Sequence, residues 1–275
     1  MKKIIPFLAL LFLLVGCSIG ETKAKLTENS VAPSQKSNTP TLFIHGYSGT
    51  TYSFKSMIKA FQRDGIAKKK SLVSVSPTGN VSFEGELSIQ KDNPMIQVIF
   101  EDNKNNEWNQ TEWMKKILTG LKEKGIEKVN LVGHSMGGVD IMRYLTTYRG
   151  TYVPTVEKVV LIGAPLNEFI EDSQAGDFDE VVQNGPIVYG QRYVDFANGI
   201  ENVPTTIRWL MLAGDKLDGS QSDGTVPVES AVATAALLRE HRNEVTTKVI
   251  EKTGHSELHE SNEVNRLIAQ FLWEK

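Results

Sequence analysis

Apolar residues along this chain fall into two rhythms. Short runs such as "TLFIHG", "KVNLVG", "KVVLIGAP" and "IRWLMLAG" are nearly continuous and end at glycine, and "VTTKVIEKTG" closes the series. Between them, "SFKSMIKAFQRDG", "QTEWMKKILTGLKEKG" and "MGGVDIMRYLTTYRG" space their apolar positions three and four apart and also stop at glycine. Continuous runs bounded by turn residues predict strands buried on both faces, and the 3.6-residue rhythm predicts amphipathic helices. Strands alternating with helices predict an α/β domain with a mainly parallel central sheet flanked by helices. "SLVSVSPTGNVSFEGELSIQKDNPMIQVIFEDN" carries two turn signals and predicts a strand, an extra β-hairpin and a further strand. From about 166 to 204 the alternation breaks into an acidic, glycine-containing stretch, predicting a cap or lid inserted in the domain rather than a second one.

The N-terminus follows other rules. "MKKIIPFLALLFLLVGC" has two lysines and then an apolar stretch too short for a comfortable membrane span. It resembles a bacterial lipoprotein signal, "LVGC" matching the lipobox whose cysteine is acylated. An ordinary secretory signal or an anchor helix is the plainer alternative. Cys17 is the only cysteine of the chain and has no intramolecular disulfide partner. The expected organisation is a signal peptide over 1–16, a flexible tether over 17–39 and one folded domain over 40–275. The tether is polar, cannot bury enough surface to become ordered, and spans about 25 Å as a coil. On the lipobox resemblance the domain is expected outside the cytoplasm, lipid-anchored to the outer face of the cell membrane.

Composition removes some functions. A net charge of −3 over 275 residues leaves no basic footprint for nucleic acid. With 40% hydrophobic residues the chain can bury one sizeable core.

The chemistry concentrates in "LVGHSMGG". Gly133, Ser135 and Gly137 form G-x-S-x-G between a predicted strand and a predicted helix, the setting of a nucleophile elbow. A serine hydroxyl held proud of the sheet needs a strained backbone, and the residues two before and two after must be small. Such a serine also needs a base and an acid, which follow it in the order Ser, acid, His. His45 and His134 precede the serine, and His241 lies before the last strand. His255, directly after Gly254 at a strand end, is the expected base; His259, one turn into the expected final helix, is the other candidate. Two acids compete, Asp215 at a strand end and Asp223 in "SDGTVP", and spacing alone does not separate them. The oxyanion donors are expected to be the backbone N–H groups of Met136 and of Tyr47 in "HGYSGT". The His255/His259 spacing lacks the glutamate of a zinc protease, and the aspartates around 215–223 lack the spacing of a calcium loop, so no metal and no cofactor is expected.

These segments together resemble the α/β-hydrolase superfamily in its lipase and esterase-like branch, and more narrowly a group of Gram-positive cell-surface α/β hydrolases. The likeness runs from about residue 40 to 275 through "FIHGYSGT", "LVGHSMGG", "LIGAPLN", "SDGTVP" and "HSELHESNEV". It implies the α/β-hydrolase fold, and it favours Asp223 because lipases of this superfamily commonly carry their acid in an Asp-Gly-x-Val setting. The implied activity is cleavage of carboxylic esters, lipid or small acyl, by Ser135, His255 and Asp223 through an acyl-enzyme. Transfer of the acyl group to cell-envelope material, or binding on an inactive scaffold, are the alternatives.

Overall fold

The computed structural model describes residues 36–87, 90–148, 150, 152–169 and 177–274. The expected signal peptide, Cys17 and nearly all of the tether lie outside them, as do residues 170–176 of the expected cap. Eight strands are present among the described residues: β1 (Thr41–Ile44), β2 (Lys68–Val75), β3 (Val81–Gly85), β4 (Pro94–Phe100), β5 (Lys128–His134), β6 (Thr155–Ile162), β7 (Arg208–Asp215) and β8 (Glu244–Glu251). They form one sheet in the order β3-β2-β4-β1-β5-β6-β7-β8. Every pairing is parallel except β2 with β3, which is the predicted hairpin at one edge.

Side chains alternate across a strand, so a run buried on both faces must be apolar at odd and even positions alike. Leu42 and Ile44 of β1 enter one core, together with Leu131, Leu161 and Met211 of neighbouring strands. Phe43, Val132, Val160 and Leu210 enter the opposite core. Each such fully buried side chain contributes about 1.5–3 kcal/mol of apolar burial.

The first core is covered by α2 (Glu107–Glu123) and α3 (Met136–Thr147), through residues such as Met114, Leu118, Val139 and Met142. The second is covered by α1 (Lys55–Arg63) and the C-terminal α8 (Asn262–Trp273), through Met57, Phe61, Ile268 and Leu272. Asn106 caps α2 by accepting from the Asn109 N–H at 2.9 Å. Among the described residues no helix is long and apolar enough to cross a membrane.

The 166–204 stretch contributes α4 (Phe178–Asn184) and α5 (Gln191–Gly199). The cap is fastened to the domain by polar contacts. The Asn167 N–H donates to Ser230 Oγ at 3.1 Å, and Ser230 Oγ donates to the Glu168 carbonyl at 2.7 Å; within the stretch, Asn167 donates to the Val188 carbonyl and accepts from the Gly190 N–H, each at 2.8 Å. Arg192 of α5 and Arg143 of α3 both donate to the Glu107 carboxylate at the start of α2. Burial pushes the Glu107 pKa up, but the two guanidiniums outweigh it and hold it below the usual range. Of the apolar residues in the acidic half of the cap, Val181 is buried, Phe178 packs against the core and Phe169 is exposed; Ile170 lies outside the described residues.

Between β7 and β8 lie two short helices, α6 (Val228–Val232) and α7 (Ala235–Glu240). One expectation needs correction. His259 belongs to a separate 3-10 turn, Glu257–His259, and not to the final helix. The helix begins later because Ser261 accepts from the Val264 N–H and caps it.

Candidate active site

At the end of β5 the chain reverses into α3 through Ser135, whose φ of 53° and ψ of −126° lie outside the region that L-residues favour. The bend is held by its surroundings: the Ser135 N–H donates to the Ile162 carbonyl of β6 at 2.9 Å. The flanking glycines are required by close approach. A Cβ on Gly133 would stand 2.6 Å from the Gly137 carbonyl oxygen, and one on Gly137 would stand 2.4 Å from the carbonyl oxygen of Ile44. Residues of any other type would force β1 and α3 away from the bend.

The loop after β1 closes over the serine. A Cβ on Gly46 would come within 2.7 Å of Ser135 Cβ and 3.3 Å of its Oγ. His45 anchors this loop, donating from Nδ1 to the Gly46 carbonyl at 2.8 Å while Nε2 accepts from the Phe100 N–H at 3.0 Å. That pair of bonds defines a neutral imidazole, consistent with burial lowering its pKa. The Ser48 N–H donates to the Asn103 carbonyl at 2.8 Å, and Asn103 donates back to the Gly49 carbonyl at 2.9 Å. Met136 is the first residue of α3, where the N–H has no intrahelical acceptor. Among the described residues neither its N–H nor that of Tyr47 has a hydrogen-bond acceptor. The Tyr47 side chain is exposed.

On the other side, the loops that follow β7 and β8 bring Asp223 and His255 together. Asp223 Oδ2 accepts from His255 Nδ1 at 2.7 Å, and the His255 backbone N–H donates to the Asp223 carbonyl at 2.9 Å. The second carboxylate oxygen, Oδ1, accepts from the N–H groups of Thr225 at 2.9 Å and Val226 at 2.7 Å. Asp223 is buried, so this saturation of its lone pairs offsets the cost of desolvating a charge.

Asp215 is engaged elsewhere. Its Oδ1 accepts from the Leu217 N–H at 2.8 Å and its carbonyl from the Thr253 N–H at 3.1 Å. The His255 ring therefore faces Asp223 and not Asp215. Among the described residues Ser135 Oγ and His255 share no hydrogen bond; in resting enzymes that contact is often long and tightens when substrate binds. No group of three or more His, Cys, Asp or Glu among the described residues is arranged to hold a metal ion.

Three further residues shape this edge: Gly163 and Gly214, not singled out in the sequence, and His134, set aside there as a base. A Cβ on Gly163, which has a φ of 54°, would stand 3.1 Å from Asp223 Oδ2 and 3.4 Å from His255 Nδ1. A Cβ on Gly214 would stand 2.8 Å from Asp223 Cβ. Both glycines close apolar strands, in "LIG" and "LAG", and that position was the available signal. The third residue, His134, packs its ring 4.6 Å from that of His255.

A mainly parallel sheet with a serine on a left-handed strand-to-helix bend, and an acid-held histidine beyond the later strands, defines an α/β hydrolase. The chain belongs to the family of alpha/beta hydrolases of unknown function designated DUF915, whose sequence pattern it matches over residues 28–275. Among solved structures it is similar to the product of the Listeria innocua gene lin2722. The two share 25% identity over 85% of this chain and 93% of that one, with a TM-score of 0.78. It is also similar to a Lactobacillus plantarum WCFS1 protein assigned as a cell surface hydrolase, at 20% identity over 85% of this chain and 89% of that one, with a TM-score of 0.64. Lipase BlEst2 of Bacillus licheniformis shares the fold at 16% identity, over 89% of this chain and 95% of that one, with a TM-score of 0.50. No curated protein sequence matches the chain.

Proposed function

We propose that this hydrolase cleaves carboxylic esters, lipid or small acyl, through an acyl-enzyme on Ser135, and that it works at the cell surface on a lipid anchor at Cys17. The observation that carries the reading is the 2.7 Å bond from His255 to a buried, fully engaged Asp223 at the edge where Ser135 stands on its strained bend. Ser135 Oγ attacks the carbonyl carbon and passes its proton to His255 Nε2, the ring nitrogen that Asp223 leaves free. Asp223 fixes the tautomer and stabilises the imidazolium that forms. The N–H groups of Tyr47 and Met136 receive the negative charge that develops on the carbonyl oxygen. Collapse expels the alcohol, which takes the proton from His255. Water then attacks the acyl-enzyme, His255 removing its proton, and the free acid leaves with Ser135 restored. No cofactor enters this sequence. The lipase and surface-hydrolase relatives share the fold and are consistent with the reading.

A panel of p-nitrophenyl esters of graded chain length tests it, together with labelling by a fluorophosphonate. Hydrolysis and labelling should both be lost in Ser135→Ala. Retained turnover in that variant overturns the proposal, and acyl transfer to an added alcohol without release of free acid would assign the transferase instead. Anchoring is tested separately: Cys17→Ala should move the protein from the membrane fraction to the medium.

A further inference from the structure

The column of side chains from β5 into the core beneath α1 and α8 runs through Val132 and ends at His134. A strand position in that place is ordinarily apolar, and His134 is only 6% exposed. Burying an imidazole costs free energy unless its polar atoms are bonded. His134 Nε2 lies 3.0 Å from the backbone carbonyl oxygen of His255, across 121 residues of sequence. A carbonyl can only accept, so Nε2 carries the proton and donates. Burial, with His255 and His259 close by, holds the His134 pKa well below the ordinary value, in keeping with a neutral donor ring.

We infer that His134 is a positioning residue: its Nε2–H clamps the peptide of His255 and so sets where the base stands relative to Ser135. The inference rests on the proposed roles of Ser135 and His255. The His255 peptide is gripped from both sides, its N–H by the Asp223 carbonyl at 2.9 Å and its carbonyl by His134 at 3.0 Å. The ring is then aimed by Asp223 Oδ2 at 2.7 Å. The residue that grips the carbonyl is covalently adjacent to Ser135. One dipeptide, His134-Ser135, thus presents the nucleophile and fixes the loop that carries its base, so strain or drift in β5 moves both together. The His259 ring packs edge-on against His134 at 4.7 Å and is itself backed by Phe54 at 6.1 Å, which restricts the clamp from behind.

Glutamine and methionine have similar size and reach, but only glutamine offers an N–H donor. The test therefore compares His134→Gln with His134→Met in the full chain. His134→Met should lower kcat for ester hydrolysis about 30- to 100-fold with KM within about threefold, the scale of a base displaced by about 1 Å. His134→Gln should stay within about fivefold of the parent. Amide exchange of the 252–261 segment, followed by mass spectrometry, should be about tenfold faster in His134→Met than in His134→Gln. Equal exchange in the two variants overturns the inference, and so does faster exchange with unchanged kcat. If the parent shows no turnover dependent on Ser135, the proposed function falls and the exchange comparison alone decides this one. If His134→Met does not fold, the parent decides: the His134 Nε2 proton should appear as a slowly exchanging resonance coupled to the His255 carbonyl, and its absence refutes the clamp.

Discussion

Glu229 offers a quantitative test of the packing beneath the cap. It sits in the first turn of α6, is 4% exposed, and among the described residues its Oε1 has no hydrogen-bond partner. Burial pushes its pKa from 4.5 up to about 7, and a hydrogen bond with Asn167 pulls the other way without prevailing. The unfolded chain releases this proton near 4.5 and the folded chain keeps it to about 7, so the contribution to stability is fully present below the lower value. It is lost as pH rises between the two and is gone above the upper one. At about 1.4 kcal/mol per pH unit the ceiling on that loss is about 3.5 kcal/mol. Beside Glu229 lies a cavity of about 90 Å³ also lined by Asp177, Asp215 and Gln221, and solvent entering it reduces the figure. Glu229→Gln keeps the shape and removes the titration. It should match the parent in urea denaturation near pH 4.5 and exceed it by about 1–3 kcal/mol at pH 8, or about 3–8 °C in Tm. Stability curves of the two proteins that run parallel from pH 4.5 to 8 would refute the reasoning.

Other substitutions probe the site and its supports. Asp140 in α3 is fully buried with neither oxygen bonded among the described residues, and burial, with Glu107 nearby, holds its pKa well above the carboxylate range. Burial favours the neutral form, which asparagine mimics, so Asp140→Asn should change unfolding free energy at pH 7 by no more than about 1 kcal/mol. A loss of several kcal/mol would show that the charged form was being used. Gly137→Ala should cost at least about 100-fold in the rate of fluorophosphonate labelling, or prevent folding as seen by circular dichroism, because its Cβ has nowhere to go between the Ile44 and His45 carbonyls. Asp223→Asn should lower kcat by about 10⁴, since the amide favours the wrong imidazole tautomer, while Asp215→Asn stays within about tenfold. The reverse ranking would move the acid to Asp215.

How far the sequence could be read varied with the kind of constraint. The strands were legible because burial on two faces demands apolar residues in succession, as Leu42, Phe43 and Ile44 show by dividing between the two cores. The elbow was legible because Gly133 and Gly137 have backbone atoms at about the distance where any side chain would collide. The acid was not legible from spacing, since "GDKLDGSQSDG" offers several aspartates on a loop whose path is set by bonds that spacing does not encode. What separates them is that Asp223 turns back on the Thr225 and Val226 N–H groups while Asp215 caps Leu217. The short helices of the 166–204 stretch were illegible for a related reason, because their fastening through Asn167 to Ser230 and Arg192 to Glu107 joins residues far apart in the chain.

The glycines suggest where such information does reside. Gly46 follows β1, Gly133 is the penultimate residue of β5, Gly163 follows β6, and Gly214 is the penultimate residue of β7. At each, an added Cβ would strike the backbone or side chain of a different segment at the same edge of the sheet: Ser135, the Gly137 backbone, the Asp223–His255 pair and Asp223 Cβ. Their common position is a consequence of the chemistry, because bringing groups from four parallel strands within bonding distance requires the connecting backbones to approach more closely than side chains permit. The strand-end glycines are therefore a single feature of the site rather than four separate turn signals, and they mark its location even where the identity of the acid stays hidden in the sequence.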